Sequence, residues 1–188
     1  MVRDDAVAEM FRREDMEALV ALAGTRPGGV ARFLTGRLYA ADEHEKWRAV
    51  HMFGVLARQP ALFTDGRLAD LLARFLWALN DESGTVPFGV PEAIGEIVAA
   101  RPEHGARVAP ILCGMLTEDD TFQTGPVERG IYWALGRIGP VVLSHCPGVL
   151  AVVRASAREH PDLETRAAAA LDRLDPAPSR TSGRALVF

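Results

Sequence analysis

The sequence predicts an all-α fold: an α-solenoid of helical hairpins about four repeats long, with an N-terminal helical cap. Three observations carry this. Phe53-Gly54-Val55-Leu56, Ile94-Gly95-Glu96-Ile97, Leu135-Gly136-Arg137-Ile138 and Leu171-Asp172-Arg173-Leu174 align as one motif at steps of 41, 41 and 36 residues, and a period near 40 in a helical pattern is that of a two-helix repeat. Within the aligned blocks the apolar columns Ala49/Val90/Ile131/Ala167, Met52/Ala93/Ala134/Ala170, Phe53/Ile94/Leu135/Leu171 and Leu56/Ile97/Ile138/Leu174 recur at i, i+3, i+4 and i+7, one buried face of a helix. No segment alternates with period two long enough to make a strand.

Taken in order, the first 26 residues read as one or two capping helices, with Val7, Met10, Phe11, Leu19 and Leu22 at helical spacing but a poor match to the repeat, as terminal units often show. Partner helices follow at about 27–38, 63–79, 104–117 and 147–158, between the aligned blocks. Gln59-Pro60, Arg101-Pro102, Gly125-Pro126, Gly139-Pro140 and His160-Pro161 separate them, because proline ends a helix and glycine favours its exit. Residues 1–175 form one domain. From Pro176 the chain turns rich in Pro, Ser and Gly, so 176–188 reads as a flexible tail, whose apolar end Ala185-Leu186-Val187-Phe188 either frays or docks on a groove.

The 188 residues are 48% hydrophobic and 24% charged, with a net charge of −4, the make-up of an ordinary globular domain that needs no disulfide or structural metal. All but one of the basic residues are Arg, Lys46 being the exception, and they form no stripe, so nucleic-acid binding has little electrostatic support. The N-terminus Met-Val-Arg-Asp-Asp is acidic where a signal peptide is basic and then apolar, and no apolar run is long enough to span a membrane. A cytoplasmic location with no membrane contact is expected. Cys113 and Cys146 lack metal-ligand spacing, and reduced, packed thiols are expected of them. The dispersed histidines exclude HExxH chemistry, and no nucleophile, Walker or Rossmann signature is present.

On the blocks Val127–Ile138 and Glu164–Leu174 the chain resembles the HEAT-repeat class, including the short bacterial HEAT-like repeats first named from phycobilisome lyases. The resemblance covers roughly residues 42–175. Trp77-Ala78-Leu79-Asn80-Asp81-Glu82-Ser83-Gly84 followed by Pro91-Glu92-Ala93-Ile94-Gly95-Glu96 is similar to a segment of uncharacterised bacterial HEAT-like proteins. It implies architecture and carries over no catalytic residue.

Two regions draw attention as sites. The stretch 80–90, with Asn80, Asp81, Glu82, Ser83 and Phe88, is longer than a helical hairpin requires; it serves either as turn and cap chemistry or as a functional loop. Opposite the apolar columns, His51, Glu92 and Trp133 are expected to form one row and Val55, Glu96 and Arg137 the next, on an open concave face of the second helices. Tyr132 adjoins Trp133 on this reading, whereas Trp47 and Trp77 are assigned to the core or to support of the loop. The column Gly54/Gly95/Gly136 calls for close helix approach or for room for a ligand, and both readings stand.

The leading functional expectation is a non-catalytic protein-binding module or scaffold, holding an unidentified protein segment on the concave face and requiring no cofactor. The alternative is a metal- or cofactor-handling protein in which Asp81, Glu82, Glu92 and Glu96 converge as oxygen ligands with His51 nearby; a lyase-like role comes only through the resemblance. A third reading is a stability or assembly element whose face is merely solvated or serves self-association.

Overall fold

The structure, a computed structural model, describes residues 2–80, 87–117, 125–159 and 164–175. Among these the chain forms eleven α-helices, a 3-10 turn at Pro102–His104 and no strand. The helices are α1 (Val2–Arg12), α2 (Met16–Thr25), α3 (Pro27–Arg37), α4 (Glu43–Ala57), α5 (Asp65–Leu79), α6 (Val90–Ala100), α7 (Gly105–Met115), α8 (Gly125–Ile138), α9 (Val141–His145), α10 (Val149–Glu159) and α11 (Glu164–Leu174).

Local chemistry sets their starts and stops. Asp15 and Asp42 precede α2 and α4, each accepting a bond from the backbone N–H three residues on, at 3.0 and 2.8 Å, which satisfies an amide the helix leaves unpaired. Pro27 and Pro91 lie in the first turns of α3 and α6, where the missing N–H costs nothing. Gly139, just past α8, has a φ of +76°, the left-handed exit that glycine takes without strain.

The helices α4, α6, α8 and α11 neighbour one another in that order, and each also packs on the helix before it: α3, α5, α7 and α10. The core lies between these two sets. All the residues of the four apolar columns are buried except Leu171, which packs against the core half-buried. The register read from the periodicity therefore holds. Among the described residues no helix is long and apolar enough to cross a membrane.

Three expectations need correction. Cys113 and Cys146 are joined in a disulfide, because α9 packs on α7 and delivers the residue after it to the inner side of α7. Trp77 is 70% exposed: it lies nine residues from Leu68, half a turn around α5 from the stripe that α5 buries. Gly139-Pro140 is followed by a short helix, α9, where the sequence predicts only a break. The tail 176–188 lies outside the described residues.

Candidate functional site

The face opposite the apolar columns is closed in its middle. Glu92 and Glu96 are each only 5% exposed, contrary to the open surface expected of them, and the glycines explain why. A Cβ on Gly95 would lie 2.8 Å from the Ala134 Cα, so α6 and α8 touch backbone to backbone there. A Cβ on Gly54 would meet the Glu96 carboxylate at 2.6 Å, and one on Gly130 would meet that of Glu92 at 2.7 Å. Each carboxylate thus lies over a glycine of the neighbouring helix. Of the two roles open to the glycine column, close approach is the one observed.

A carboxylate in such a place needs donors, since an uncompensated buried charge is costly. Arg137 of α8 supplies them to Glu96: its Nε donates to Oε1 at 3.0 Å and its Nη2 to Oε2 at 3.1 Å. This is the bidentate geometry that guanidinium and carboxylate planes favour. The bonds to Glu96 raise the pKa of Arg137 above the usual arginine value, partly opposed by desolvation. His51, on the exposed side of α4, brings Nδ1 to 3.5 Å from Glu96 Oε1. Glu96 therefore couples α4, α6 and α8.

Aromatic rings flank this group. Trp47 packs edge-on to Trp133 with centroids 5.1 Å apart and stands 5.7 Å from the His51 ring. The Trp47 indole N–H donates to Glu43 at 3.1 Å, and Lys46 Nζ to the other oxygen of the same carboxylate at 2.6 Å. Both tryptophans are half-buried, so part of each ring remains on the surface.

Trp133 separates two open pockets. The larger, of about 520 Å³, is lined by His51, Val55, Arg58, Glu96, Gly136, Arg137 and Arg173 as well as Trp133. The smaller, of about 370 Å³, is lined among others by Lys46, Trp47, Phe88, Glu92 and Arg129. His51, Glu96, Trp133 and Arg137 are thus brought together, while Glu92 and Phe88 belong to the second pocket. Asn80 does local work: its Nδ2 donates to the Leu76 carbonyl at 3.3 Å at the end of α5. Asp81, Glu82 and Ser83 lie outside the described residues. The end of that loop is pinned where the Gly89 N–H donates to the Leu38 carbonyl at 2.9 Å.

Several groups escaped the sequence reading. Tyr132 is fully buried rather than part of the face. Its hydroxyl donates to Glu128 at 2.9 Å and lies 2.6 Å from that of Ser156, which donates to the same carboxylate oxygen at 2.8 Å. The i, i+4 spacing of Glu128 and Tyr132 was the available signal. Arg173 stood in the same column as Arg137, but Arg58 is in no column and is placed only by the end of α4. Asp65, Glu103 and His104 gather near one another, with Arg101 paired to both carboxylates. That guanidinium occupies the place a cation would take.

No family model matches the sequence, and no curated protein or solved structure is significantly similar to it.

Proposed function

We propose that this chain is a non-catalytic binding module, a HEAT-like solenoid that holds an extended segment of a partner protein on the face of α4, α6, α8 and α11. The observation that carries the reading is the pair of pockets on either side of Trp133, an amphipathic side chain of the kind that anchors interfaces. Support for the repeat architecture comes from the period of 41, 41 and 36 residues together with the serial packing of α4, α6, α8 and α11. The Glu96–Arg137 pair and the glycine contacts tie α4, α6 and α8 together, and a face assembled before its ligand arrives has a lower ordering cost on binding. The metal-handling alternative is less well served, because both oxygens of Glu96 are engaged by Arg137. A cytoplasmic setting belongs to the same proposal, with the disulfide opposing it, since such bonds persist mainly in oxidising compartments.

The test is selection from a displayed library of random twelve-residue peptides, using the wild type and the variants Trp133→Ala and His51→Ala, each checked for helicity by circular dichroism. Peptides enriched on the wild type whose affinity falls at least tenfold with either variant are expected. No enrichment, or enrichment indifferent to both variants, refutes the reading.

A further inference from the structure

We infer that the segment held in the larger pocket is acidic, its carboxylates lying against Arg58 and Arg173; this rests on the binding-module reading. Three helices contribute one arginine each: Arg58 at the end of α4, Arg137 and Arg173 in the last turns of α8 and α11. All three line one pocket of about 520 Å³, and among the described residues its only carboxylate is Glu96. Both Glu96 oxygens are committed to Arg137. Among the described residues Arg58 and Arg173 make neither an ion pair nor a side-chain hydrogen bond. Three guanidinium groups against one carboxylate leave a surplus of two positive charges, in a chain whose net charge is −4.

Basic side chains at helix C-termini complement the carbonyl ends, and that accounts for where the arginines sit. It does not use their N–H donors, of which each guanidinium has five. The ligand that satisfies two exposed guanidinium groups on an open surface is a pair of carboxylates, matched to the planar fork of arginine. Val55 and Trp133 offer an apolar wall beside them, so an acidic stretch with an interspersed apolar residue fits better than a run of acids alone. Displacement of Arg137 is not required, because Glu96 keeps it oriented.

The experiment repeats the peptide selection on the wild type and on Arg58→Gln/Arg173→Gln, both substitutions being at exposed positions. Asp and Glu are expected to be enriched at least threefold over the input with the wild type and not with the double variant. A selected peptide remade with Gln for Glu should bind at least tenfold more weakly, and this advantage should shrink as salt rises from 50 to 300 mM, on the scale set by Debye screening at about 10 Å in 0.1 M. Enriched peptides without acidic bias, or an acidic bias that survives in the double variant, overturn the inference and leave the binding module standing. No enrichment at all overturns both. A phosphoserine version that binds more than tenfold tighter than its Glu form would reassign the pocket to phosphate and overturn the carboxylate assignment.

Discussion

The helices α4, α6, α8 and α11 and the companions that precede them, α3, α5, α7 and α10, are built from similar residues but are packed by different rules. In the first set, Gly54, Gly95, Gly130 and Gly136 all face atoms of a neighbouring helix within 3.1 Å of where a Cβ would stand. In the second, Gly36, Gly66 and Gly114 face nothing within 4 Å, and Gly105, at the start of α7, meets a side chain, the His145 ring, at 3.3 Å rather than backbone. The buried charged residues Lys46, Glu92, Glu96 and Glu128 all sit on α4, α6 and α8, whereas the exposed large hydrophobic residues, Trp77 and Ile111, sit on α5 and α7. Close approach and helical phase, more than composition, decide what is exposed. Where glycines let neighbours close in, even glutamates are covered; Trp77, half a turn from the stripe that α5 buries, is left in water.

The contrast can be broken at several points. Leu135 is fully buried in the close-packed set, so Leu135→Ala should cost about 2–5 kcal/mol in chemical denaturation; a loss below about 1 kcal/mol would show that α8 does not pack in this register. On the outer side, reducing the Cys113–Cys146 disulfide, which spans a sequence separation of 33, should cost about 2–4 kcal/mol by releasing the constraint on the unfolded chain. An unchanged melting temperature in reductant would mean the two thiols are not joined.

Arg137→Ala should cost about 1–3 kcal/mol, because it leaves the Glu96 carboxylate without its main donor. Water reaches the pair past Arg137, whose side chain is 36% exposed, so the loss stays below that of a fully buried pair. Adding Glu96→Gln should recover most of the loss, and its failure to do so would point to packing rather than charge. The smallest effects come from the glycines. Gly95→Ala should cost about 1 kcal/mol or more, since the backbone contact with Ala134 outweighs the gain in helix propensity of about 1 kcal/mol. Gly36→Ala, in open space, should instead gain about 0.5–1 kcal/mol. Equal signs at both positions would erase the distinction between the two sets.

Much of the fold was legible in advance because burial repeats with helical phase. The columns through Met52, Ile94, Leu135 and Leu174 needed only periodicity, and proline and glycine marked the breaks. Phase gives the direction of a side chain but not the distance to the next helix. Glu92 and Glu96 do point away from the apolar columns, and they are covered because Gly54 and Gly130 let the neighbours close over them. The Glu96–Arg137 contact followed from the repeat, since residues one period apart share a face; the His51–Glu96 contact joins two rows that the columns keep apart. Trp77 differs from the expectation for the opposite reason: its phase relative to Leu68, half a turn away, puts it outside the stripe that α5 buries. The disulfide depends on α9 packing against α7, a tertiary contact that no local spacing announces. Arg58 joined the pocket through the position of a helix end, which periodic columns do not track.

The disulfide has a mechanical consequence as well. It closes a covalent ring around the end of α7, all of α8 and α9, so a molecule pulled by its two ends cannot pay out the 33 residues between the cysteines. At about 3.3–3.6 Å per extended residue, roughly 110–120 Å of contour length stays hidden until the bond is reduced. The helix that carries Trp133 and Arg137 is therefore shielded from tension by a chemical bond, while α4, which carries His51 and ends at Arg58, bears the full load through its packing alone.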